Sequence, residues 1–83
     1  MVDNAIEEDR ARSVEQCAFF CGADTGAGNR FIYGTNEYGA DRCNSAGCKC
    51  YCEEKAENAK CTLVQHDGYN LYRNDKRVIR PWS

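Results

Sequence analysis

Eighty-three residues are enough for one domain and too few for two separate cores. Seven cysteines and few aliphatic side chains make cross-links the expected source of stability, as in small secreted domains. The net charge of −2, with no basic helix and no aromatic ribonucleoprotein motif, speaks against specific nucleic-acid binding, and no apolar run approaches the ~20 residues of a membrane span.

Residues 1–12 read as a flexible or loosely helical lead, and residues 1–15 carry a net charge of −3. The polar start Met1-Val2-Asp3-Asn4 is no signal peptide. With so many cysteines, the chain is expected to be the mature part of a secreted protein behind an added initiator methionine. Ser13-Val14-Glu15-Gln16 is a capping-box pattern, in which a hydroxyl and an amide each cover a free N–H. A helix is predicted from there to about Cys21, with Gly22 as a left-handed stop. Cys17 and Cys21 share one face, and Ala18 with Phe19 or Phe20 widens the buried stripe.

Gly22 to Gly28 reads as a connector, since no Lys-Ser/Thr follows that would make it a phosphate loop. Arg30–Gly34 is predicted as a strand, returning through residues 40–43 after the turn-rich Asn36–Gly39. Cys48-Lys49-Cys50-Tyr51-Cys52 alternates, so an extended chain would put its cysteines on one face and Lys49 and Tyr51 on the other. Glu53–Lys60 is polar, Thr62–His66 reads as a strand, and Asp67-Gly68 is a hairpin signal before the return strand Tyr69–Arg73. The stretch Asp75–Ser83 is expected to be irregular, and Arg73, Lys76, Arg77 and Arg80 give residues 73–80 a net charge of +3. These cations form either a patch for acidic partners or ordinary solvated charge near a terminus.

The cysteine spacing suggests a frame. Cys17 to Cys21 rises about 6 Å along a helix, while Cys48 to Cys50, or Cys50 to Cys52, rises about 6.6 Å along a strand. A helix laid along that strand could therefore form two disulfides like rungs. Six of the seven residues Cys17, Cys21, Cys43, Cys48, Cys50, Cys52 and Cys61 are expected to pair. About 105 pairings are open to them, and the odd thiol can be buried, capped or used in a disulfide-linked homodimer. The competing chemistry is a reduced zinc module drawing on Cys43, Cys48, Cys50, Cys52, Cys61 and His66. The absence of any Cys-x-x-Cys knuckle weighs against it.

Ser13-Val14-Glu15-Gln16-Cys17-x3-Cys21, Phe31-Ile32-Tyr33-Gly34, Cys43 with the Cys-x-Cys cluster, and Tyr69-x-Leu71-Tyr72 together resemble a PAN/apple-type domain. The likeness spans residues 13–73, leaving 1–12 as an acidic lead and 74–83 as a basic tail. It implies a disulfide-stapled α+β fold, a small antiparallel sheet cradling one short helix at about 13–21, with Cys17 joined to a sheet cysteine such as Cys43. It also implies an extracellular module that binds a protein or carbohydrate without catalysis. The cysteine usually found before the aromatic strand is replaced here by Asn29 or Arg30. WSC modules look related, with Cys-x-Cys after a Tyr-Gly strand, which keeps carbohydrate binding in view.

The expected function is thus that of a secreted recognition module, whether adhesive, signalling, inhibitory or toxin-like. Its candidate contacts are Arg73, Lys76, Arg77, Arg80, Trp82, Tyr51 and Tyr38. No cofactor is implied and no enzyme is expected. The single His66 stands before an Asp-Gly turn and would need a free thiol beside it to act as a nucleophile's base. Glu53, Glu54 and Glu57 read as a solvated patch.

Overall fold

The computed structural model describes residues 5–36, 39, 42–55, 68–75 and 78–81. Along the chain these form β1 (Ala5–Glu7), α1 (Val14–Ala23), β2 (Ala27–Gly34), β3 (Cys43–Asn44), β4 (Gly47–Cys48), β5 (Cys50–Glu54), β6 (Tyr69–Asp75) and β7 (Val78–Pro81). Five strands make one sheet in the order β1-β5-β2-β6-β7, antiparallel at every pairing, while β3 and β4 form a separate ladder. One helix on such a sheet, held by disulfides, is the stapled α+β fold expected.

The helix begins where the capping box puts it. Ser13 is extended, with φ −154°, and its Oγ accepts from the Gln16 N–H at 3.1 Å. The Gln16 side chain reaches back one residue further than the cap itself, accepting from the Arg12 N–H at 2.6 Å. Gly22, expected as the stop, stays helical, and α1 runs on to Ala23. Asp24 ends it instead: its backbone is extended, its N–H donates to the Cys21 carbonyl, and its Oδ1 accepts from the Gly26 N–H at 2.9 Å. An aspartate turn thus does the work assigned to a left-handed glycine.

Cys17 is bonded to Cys50 and Cys21 to Cys52, with Cα separations of 5.6 and 5.5 Å. The two rungs are nearly equal because four helical residues and two strand residues advance by similar distances. Cys43 is bonded to Cys48, directly opposite it in the β3–β4 ladder, so the Cys17–Cys43 bond implied by the family resemblance is not formed. The alternation of Cys48, Cys50 and Cys52 along one strand is broken at Lys49, which lies outside both β4 and β5. Its N–H donates to Arg42 at 2.8 Å and its carbonyl accepts from Gly34 at 2.9 Å. Sequence separations of 33 and 31 correspond to about 3.7 kcal/mol of unfolded-chain restriction for each rung, and a separation of 5 to about 2 kcal/mol.

Three further expectations are corrected. The acidic lead is not loose over its described part, because β1 covers the outer edge of β5. Glu8 N–H then donates to Cys50, and Ala11 exchanges two backbone bonds with Cys48 at 2.9 and 2.8 Å. An open β5 edge needs backbone partners, and Ala5, Ile6 and Glu7 supply them while Ala5 and Ile6 pack against the buried clusters. Gly47, at φ +118°, permits this contact, since a Cβ there would land on the Ala11 carbonyl. The basic tail is also regular where described: Asn74 and Asp75 complete β6, and Val78–Pro81 pairs with it as β7. Pro81 is tolerated because β7 is an edge strand. Finally, β2 takes β5 and β6 as its partners, and of the expected return through residues 40–43 the described Cys43 pairs with Cys48 instead. The β2 strand lies centrally between β5 and β6, as suits a strand apolar on both faces.

Phe31, Cys50 and Cys52 face the helix and are fully buried beside Cys17, with Tyr72 stacked on Phe31 at 5.5 Å between ring centroids. Phe20 and Ile79 pack partly against this core, whereas Phe19 is 70 % exposed and does not extend the buried stripe. The opposite face buries Ile32, Tyr69 and Leu71 with Tyr51 alongside. Gly68 has φ +82° at the start of β6. The expected strand Thr62–His66 and Asp67 lie outside the described residues, as do Cys61, Tyr38, Lys76, Arg77 and Trp82.

Candidate recognition surface

The register of β2, β6 and β7 creates a feature that linear order conceals. Arg30 is paired with Arg73, and Arg73 with Arg80, so three arginines stand in one row across three adjacent strands. Neighbouring strands are about 4.8 Å apart. Directly opposed like charges are unfavourable, and two carboxylates lie against the row to offset them. Arg30 Nε meets Glu53 Oε1 at 2.6 Å. Asp75 Oδ2 lies 3.6 Å from Arg73 Nη2 and 3.9 Å from Arg80 Nε. Exposure of the arginine side chains rises outward, from 25 % at Arg30 to 41 % at Arg73 and 59 % at Arg80. The outer half of the row therefore offers planar, permanently charged donors suited to carboxylate, sulfate or phosphate groups.

Of the residues singled out from sequence, Arg73 and Arg80 are brought together, while Lys76, Arg77 and Trp82 are outside the described residues. Tyr51 is half-buried: its ring meets Tyr69 edge-on at 5.8 Å, and its hydroxyl donates to Glu7 at 3.4 Å at the surface. Burial raises its pKa above the usual phenol value. Glu53 is buried against Arg30 and so does not belong to a solvated patch. Arg30 was missed because it is more than forty residues from the other two; only strand register reveals it.

Among the described residues, the proposed zinc ligands do not converge; Cys61 lies outside them. Cys43 and Cys48 are bonded together, and Cys50 and Cys52 turn to the helix. Among the described residues, the thiols that cluster are those of Cys17, Cys21 and Cys50, all within 4.8 Å, and each is committed to a bridge. His66 is outside the described residues.

A second polar cluster links the lead to the helix end. Glu8 is pushed up to about 7, first by burial, then by its hydrogen bond to Asp24 and the negative charges of Asp24 and Asp9. Asp24 is lowered, chiefly by that same bond and then by the Gly26 N–H. The proton therefore sits on Glu8 and the charge on Asp24. Because Glu8 is raised in the folded state, its stabilising effect is complete below its ordinary value of 4.5 and lost as pH rises through about 7. Asp24 acts in the opposite sense, its effect being present above 3.8 and lost as pH falls through its lowered folded value. The melting temperature is expected to fall between about pH 5 and pH 8, and Glu8→Gln, which retains a donor to Asp24, should flatten that slope in a thermal-melt series.

Comparison with protein-family models, with curated proteins and with solved structures finds no match to this chain. Fold and bonding define it as a small α+β protein held by three disulfides. Among the described residues, no helix is long and apolar enough to cross a membrane.

Proposed function

We propose that the chain is a secreted, non-catalytic recognition module, PAN/apple-like in organisation, that binds an anionic protein or glycan through the face bearing Arg30, Arg73 and Arg80. The observation that carries this reading is the arginine row itself, set on paired strands behind a covalently fixed core. Three disulfides accord with folding in an oxidising compartment. A rigid sheet lowers the ordering cost of binding, so guanidinium groups on it can act as a fixed array.

Retention on an immobilised sulfated glycan, compared with a neutral one, tests the proposal. Wild-type retention should weaken steadily as salt rises. Arg73→Glu combined with Arg80→Glu should lower affinity by about tenfold or more, on the order of 1.4 kcal/mol, while circular dichroism remains native. Retention that ignores salt, or that survives the double reversal, would remove the arginine face as the binding site.

A further inference from the structure

The three disulfides differ in accessibility. Cys17, Cys50 and Cys52 are fully buried and Cys21 nearly so. Cys43 and Cys48 are only half-buried, and the three residues Asn44, Ser45 and Ala46 at their turn are exposed. This bridge also closes the shortest loop, with a sequence separation of 5, so opening it releases the least chain entropy.

Its surroundings favour thiolate chemistry. Arg10 Nη1 donates to the carbonyl of Arg42 at 2.9 Å and to that of Gly47 at 3.2 Å. Those are the residues immediately before Cys43 and Cys48, so one guanidinium lies against both arms of the hairpin. Lys49 follows directly. Nearby cations lower a thiol's pKa and make it a better leaving group in exchange. The hairpin is also held without its disulfide. Asn44 Oδ1 accepts from the Ala46 N–H at 2.8 Å, Lys49 bonds to Arg42, and Cys48 bonds to Ala11. An opened bridge would therefore keep its two sulfurs close.

We infer that Cys43–Cys48 is a thiol-exchange site, a covalent acceptor for low-molecular-weight thiols. The incoming thiolate bonds to one of the two sulfurs, the Cys43–Cys48 bond breaks, and its electron pair leaves on the other cysteine as a thiolate, one residue from a carbonyl that Arg10 holds. The product is a mixed disulfide plus one cysteine thiol. The thiol can displace the adduct and restore the bridge, or a second external thiol can take the adduct away and leave a dithiol. This chemistry does not depend on the arginine face.

The test uses the oxidised full chain with any pre-existing free thiol, including that of Cys61, first blocked by N-ethylmaleimide. Limiting glutathione is then added, samples are quenched with a second, mass-distinct maleimide, and the labelled peptides are read by mass spectrometry. Glutathione or the second label should appear on Cys43 and Cys48 at least about tenfold faster than on Cys17, Cys21, Cys50 or Cys52, with native circular dichroism throughout. Arg10→Gln should slow the opening step, and it should move upward the pH dependence of the return step, in which the freed cysteine thiol attacks the adduct and closes the bridge again. Labelling of the helix–sheet cysteines first or at the same rate, or no labelling of Cys43 and Cys48 short of denaturation, would overturn the site. An unchanged rate and pH profile in Arg10→Gln would overturn the role given to the guanidinium.

Discussion

A chain carrying Cys17→Ala together with Cys50→Ala is expected to lose about 4 kcal/mol of unfolding free energy, most of it from releasing a loop of sequence separation 33 in the unfolded chain. Small domains have only about 5–15 kcal/mol in hand, so this variant should sit close to its unfolding midpoint at physiological temperature. The matched pair Cys43→Ala with Cys48→Ala should lose about 2 kcal/mol, because its loop is so short. Urea titration of both variants beside the parent decides the matter. Equal losses, or a larger one for the hairpin pair, would mean that the helix rungs are not what holds the fold.

The second large effect belongs to Phe31. It is fully buried on the central strand, paired with Cys52 on one side and Tyr72 on the other. Phe31→Ala should cost about 3–5 kcal/mol, combining lost burial with a cavity that a cross-linked neighbourhood cannot collapse to fill. Phe19→Ala is the control, since that ring is 70 % exposed and its loss should stay within about 0.5 kcal/mol. Denaturant midpoints at constant slope separate the two. Comparable losses would show that the core does not centre on β2.

The rung geometry explains why so much of the frame was legible. Cys17 and Cys21 at helical spacing match the rise of either Cys48 and Cys50 or Cys50 and Cys52, which needs no knowledge of the rest of the chain; the structure takes the second pair. Ser13 and Gln16 mark the helix start for an equally local reason. The elements that escaped are defined by partners rather than by their own residues. Ala5–Glu7 has no strand pattern, and it becomes a strand because β5 leaves an edge to cover. Val78–Pro81 carries a proline and an arginine, and only β6 makes it extended. The β3–β4 ladder has two residues per strand, too few for any period to appear. The arginine row belongs to the same class, because Arg30 joins Arg73 and Arg80 only through register.

The decisive measurement is disulfide mapping of the untreated chain by non-reducing proteolysis and mass spectrometry. Lys49 and Tyr51 separate Cys48, Cys50 and Cys52, and Phe19 and Phe20 separate Cys17 from Cys21, so trypsin and chymotrypsin resolve both helix–sheet pairs and leave Cys43 and Cys48 together on one peptide. Linked peptides joining Cys17 to Cys50 and Cys21 to Cys52 are predicted, with a single internally bridged peptide carrying Cys43 and Cys48. A Cys17–Cys43 peptide, or helix cysteines recovered as free thiols, would contradict the account.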